Sequence, residues 1–80
     1  MKIYYGNILS IVDVTNTCMQ KLKCDDTIVI PAGDANRALH FTDPINGINK
    51  KIFIGVNDKM TEYDEFATIK INLADNTITT

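Results

Sequence analysis

Eighty residues and 8.9 kDa leave room for one hydrophobic core, expected as a single domain over residues 1–80. An apolar share of 45% with two prolines and four glycines excludes a disordered tail or a low-complexity linker. The formal charge is only −2, and neither half of the chain is basic, so the electrostatic footprint of a general nucleic-acid binder is missing.

Asp13 interrupts the apolar stretch from Ile8 to Val14, far short of a membrane span. The opening residues carry one lysine without a long apolar run, so no secretory leader is read and a cytoplasmic protein is expected. Twelve Ile, eight Asn and seven Lys against one Arg point to AT-rich codons, hence a low-GC bacterium or one of its viruses. Val, Ile and Thr supply 25 of the 80 residues, and branching at Cβ suits a pleated surface better than a helix.

Taken in chain order, Lys2 to Tyr5 and Ile8 to Val14 read as strands, with Gly6-Asn7 as a bend between them. Residues 15–24 fit a helix with Cys18, Met19 and Leu22 on one face, or a strand with Cys18, Leu22 and Cys24 on one face. The strand is preferred, with Asp25-Asp26 turning into the next one. That next strand, Thr27 to Ile30, stops at Pro31, which has no N–H to give a ladder. Asp34 as N-cap and the alanines that follow predict about two helical turns to His40.

Asn46-Gly47 between Ile45 and Ile48 is a type I′ turn signal, and Lys51 to Val56 is a continuous apolar run expected to be covered on both faces. Thr61 to Phe66 is read as a helical turn capped by Thr61. Ala67 to Leu73 alternates strictly, Asp75-Asn76 can turn, and Thr77 to Thr80 can return as an antiparallel partner. No internal repeat is apparent. The fold expected is mainly β, a small β-barrel or an α+β sheet, with five to seven short antiparallel strands and one short helix near 34–40.

The chemistry is sparse. Cys18 and Cys24 match no zinc spacing and are expected as free thiols. Ser10 and His40 are the sole serine and histidine, and no elbow motif frames Ser10. The acids, including Asp58, Glu62, Asp64 and Glu65, lack the spacing and glycine of a calcium loop and read as a solvated face. An enzyme is therefore not expected, and neither a metal nor a cofactor is implied.

Residues 31–51 collect the one arginine, the one histidine and two lysines. Arg37, His40, Asn49, Lys50 and Lys51 form a candidate site for a small anionic or nucleotide ligand, sponge-like, in a pocket shared by two or more copies. Tyr4-Tyr5 is a candidate aromatic contact for a protein partner.

Thr27-Ile28-Val29-Ile30-Pro31, with Asp26 before it and Arg37-Ala38-Leu39 after it, resembles the "IVIP…R…L" signature of the AbrB/MazE swapped-hairpin DNA-binding family. That resemblance, over about 14 residues, implies an intertwined β-barrel dimer that binds operator DNA through basic loops. The chain departs from it where Asp25, Asp26 and Asp34 stand near the strand and where Pro44 and Asn46-Gly47 interrupt the expected second strand. The expected function is non-catalytic binding of a partner protein by an inhibitor or accessory factor. The anionic-ligand sponge and the AbrB/MazE-like DNA binder are the alternatives.

Overall fold

The computed structural model describes residues 1–7, 9–41 and 50–80. Among these residues the protein is mainly β, with eight strands in two antiparallel sheets and two short helical segments. The strands are β1 (Lys2–Asn7), β2 (Ser10–Asp13), β3 (Lys23–Cys24), β4 (Thr27–Ile30), β5 (Lys51–Val56), β6 (Lys59–Tyr63), β7 (Ile69–Asn72) and β8 (Thr77–Thr79). The first sheet has the order β2-β1-β5-β6 and the second β3-β4-β7-β8. The chain makes a hairpin in the first sheet, one in the second, returns to the first and ends in the second.

Each central strand turns alternate residues inward, as the two-residue period of a strand requires. Ile3 and Tyr5 of β1, Ile52 and Ile54 of β5, Ile28 and Ile30 of β4, and Ile69 and Ile71 of β7 are all buried in one apolar cluster. Seven of the twelve isoleucines thus build the core, where the stiff branched side chain loses little entropy on packing. Val14, Cys18 and Phe41 close it.

Residues 15–24 depart from the strand reading. α1 (Thr15–Thr17) runs on into a π-helical stretch over Cys18–Leu22, and only Lys23–Cys24 is extended. The spacing of Val14, Cys18 and Leu22 puts three apolar residues on one helical face, of which the first two are buried and Leu22 is half-buried. The Asp13 carboxylate accepts the Thr15 amide at 2.9 Å and starts the turn. The Asp25-Asp26 turn is present, with Asp25 at φ 54°.

α2 (Asp34–His40) stands where it is expected, but Asp34 does not cap it; Gly33 precedes the helix at φ 94°, and the Asp34 side chain turns inward. Thr61 to Tyr63 belongs to β6 rather than a helical turn, because Asn57 and Asp58, at φ 51° and 66°, form a two-residue primed turn that folds β6 back on β5. The C-terminal hairpin is present with a longer turn, residues 73–76, in which Asp75 accepts the Thr77 amide at 3.1 Å. The Asn46-Gly47 turn and Pro44 lie outside the described residues.

Candidate functional site

The residues predicted to meet a ligand or partner are separated by the pleat. Tyr5 and Lys50 point in, while their chain neighbours Tyr4 and Lys51 point out. Inside, Asp34 is the hub. Its Oδ1 accepts the Tyr5 hydroxyl at 2.6 Å and its Oδ2 lies 3.0 Å from Lys50 Nζ, with Lys50 almost wholly buried. Arg37, one helical turn on, is fully buried and serves the backbone: Nε donates to Pro31 O at 2.9 Å and Nη2 to Ala67 O at 2.6 Å.

Burial lowers the proton affinity of the Arg37 guanidinium, and the nearby Asp34, Tyr5, Asp64 and Glu65 act the other way. Nη1 is buried and donates no hydrogen bond among the described residues. Phe41 stacks at a tilt against Tyr5, with ring centres 5.3 Å apart, and half-buried His40 meets Phe41 edge-on at 6.5 Å. Asn49 lies outside the described residues. Among the described residues, Arg37 and Lys50 therefore bond to interior groups, while Lys51 faces outward beside Glu62.

The outer face of the first sheet is the open surface. Across its four strands one row reads Asp13, Tyr4, Phe53 and Glu62. The row on one side has Ile11, Gly6 and Lys51, and the row on the other has Lys2, Gly55 and Met60. Phe53 thus faces outward on a strand expected to be covered on both sides. Ile11 is 50% exposed and Met60 59%. One groove, of about 600 Å³, is bordered by Tyr4, Leu9, Ile11, Lys51, Phe53 and Met60; a smaller one of about 280 Å³ lies beside Gly55, bordered by Lys2, Tyr4 and Met60.

Two ion pairs frame the aromatic centre, Lys2–Asp13 at 3.8 Å and Lys51–Glu62 at 3.2 Å. The outer face of the second sheet is different: Thr27, Asn72 and Thr77 form one row and Val29, Lys70 and Thr79 the next, so Val29 is its single large apolar group among these positions.

This arrangement exposes an internal repeat. Lys2-Ile3-Tyr4-Tyr5-Gly6 and Lys51-Ile52-Phe53-Ile54-Gly55 share Lys, Ile, aromatic and Gly in the same order. Ile11 and Asp13 then stand as far beyond Gly6 as Met60 and Glu62 stand beyond Gly55. Because β1 pairs antiparallel with β5, a local two-fold axis between Tyr4 and Phe53 relates the two hairpins. The K-I-aromatic-x-G match was the signal available in the sequence.

Cys18 is buried and Cys24 exposed, both as free thiols. Burial first, and the charge of Asp13 second, push the Cys18 thiol up to about 12. Among the described residues no helix is long and apolar enough to cross a membrane. No protein-family model, no curated protein and no solved structure matches the chain.

Proposed function

We propose that the chain is a small non-catalytic binding protein, an inhibitor or accessory factor of a low-GC bacterium or its virus, working in the cytoplasm of the bacterial or infected host cell. Its interaction surface is the outer face of the first sheet, and its partner is a protein. The observation that carries this reading is the contrast between the two outer faces. One presents Tyr4, Phe53, Ile11 and Met60 beside a groove of about 600 Å³; the other sets Val29 among Thr27, Asn72, Thr77, Lys70 and Thr79. Aromatic and methionine side chains framed by charge are the composition of a protein interface rather than of an idle surface.

The anionic-ligand alternative loses its main support, because Arg37 and Lys50 already bond within the chain.

Affinity capture from lysate with the wild-type chain and with a Tyr4→Ser/Phe53→Ser variant tests the proposal. Both side chains face outward, so the variant should keep its circular dichroism spectrum and lose the captured partner. Capture by the folded variant at the wild-type level would move the interaction surface elsewhere.

A further inference from the structure

We infer that the outer face of the first sheet docks onto the same face of a second copy. The inference rests on the reading of that face as the interaction surface and names its occupant.

The local two-fold axis passes between Tyr4 and Phe53, and Asp13, Glu62, Lys2 and Lys51 surround it. With strands about 4.8 Å apart and residues about 3.4 Å apart along them, all four lie roughly 7 Å from that axis. Acid and lysine positions are separated by about 70° around it. Equal radii make the pattern self-complementary. A second copy, turned face to face about a two-fold axis lying in the interface, sets each Glu62 over the other copy's Lys51 and each Asp13 over its Lys2.

The strands of the two sheets then cross at about 70°, near the orthogonal mode of sheet packing. The same rotation carries Met60 over the other copy's Gly6 and Ile11 over its Gly55. Two exposed apolar side chains thereby meet the other copy beside its two grooves. Met60, unbranched and flexible, suits the larger one.

Each lysine already sits beside an acid of its own chain, so docking joins pairs into four-charge groups. No lone ion is buried. This is an isologous contact, closed by its own symmetry.

Sedimentation velocity over the micromolar range provides the test, using Lys51→Glu and Glu62→Lys. These two side chains are exposed and bond to each other, so each variant should fold; circular dichroism checks it. In either variant alone, like charges face each other twice across the two-fold axis, and dimerisation should weaken at least about tenfold. Mixed in equal amounts, the two should associate as a 1:1 heterodimer with affinity restored to near the wild-type level.

A wild-type chain that sediments as a monomer throughout overturns the inference, and so does a mixture no tighter than its components. Single variants that dimerise like wild type overturn it too, by placing the contact on another surface. A monomeric wild type whose Tyr4→Ser/Phe53→Ser variant still loses its captured partner would leave the face an interaction surface for a different protein.

Discussion

The Tyr5 hydroxyl, on β1 of the first sheet, donates to the carboxylate of Asp34 at 2.6 Å, on the helix that leads back from the second. With Lys50 at 3.0 Å on the other carboxylate oxygen, one acid ties together the helix, the first strand and the entry to β5. Neither sheet supplies such a link through its own hydrogen bonds.

Removing the charge of Asp34 leaves Lys50 buried without that counter-ion. Asp34→Asn should cost about 2–3 kcal/mol of stability, and Tyr5→Phe, which deletes the charge-assisted hydrogen bond to Asp34, about 1–2 kcal/mol. Urea denaturation of both and of the double variant measures this. The double variant should lose less than the sum, since the two changes remove one shared interaction.

Arg37 tests whether that side chain is structural. Its Nε and Nη2 hydrogen bonds satisfy the Pro31 and Ala67 carbonyls on two segments. Arg37→Ala should cost about 3–5 kcal/mol, and Arg37→Lys should recover little, because an ammonium cannot reach two carbonyls with a planar fork. A lysine variant as stable as wild type by thermal melting would contradict the bracing role.

The two outer-face glycines should behave differently. A Cβ on Gly6 would lie 2.1 Å from Ser10 O and 2.7 Å from Ile11 Cα, on a backbone at φ 149°. A Cβ on Gly55 meets nothing nearer than 3.6 Å, and that atom belongs to the Met60 side chain. Gly6→Ala should therefore destabilise by more than about 2 kcal/mol and Gly55→Ala by under about 1 kcal/mol in chemical denaturation.

The cysteines should separate by reactivity and by pH. A thiol-alkylating reagent near neutral pH should add one mass increment to the folded protein, at Cys24, and two after denaturation. Below an ordinary thiol value of 9.0, both folded and unfolded chains keep the Cys18 proton. Above it the unfolded chain releases the proton while the folded chain holds it to about 12, so stability should fall as pH rises through that window. Cys18→Val should flatten this part of a pH–stability profile.

Local pattern was readable wherever one physical effect dominated. Strict alternation placed the strand through Ile69 and Ile71, Pro31 ended β4, and the residues from Asp34 to His40 form the expected helix. Competition between effects was not readable. Val14, Cys18 and Leu22 carry a helical spacing that the β-branched threonines beside them obscure. Asn57-Asp58 is a turn whose strand, Lys59–Tyr63, is too polar to announce itself.

For the site, adjacency in sequence hides the alternation of side chains that divides Tyr4 from Tyr5 and Lys50 from Lys51. The resemblance between the two hairpins of the first sheet emerges once Tyr4 stands opposite Phe53.

The alternation of hairpins between the sheets has a consequence for synthesis. As the chain leaves the ribosome, β1 and β2 can pair at once, but β1 must wait for Phe53 before its other edge is covered. β4 must wait longer still, for Ile69 to Asn72. Until then Ile3 of β1 and Ile28 and Ile30 of β4 lack the neighbouring strands that complete their cover. Both sheets are completed by pairings distant in sequence, so folding should be slow for a domain of this size.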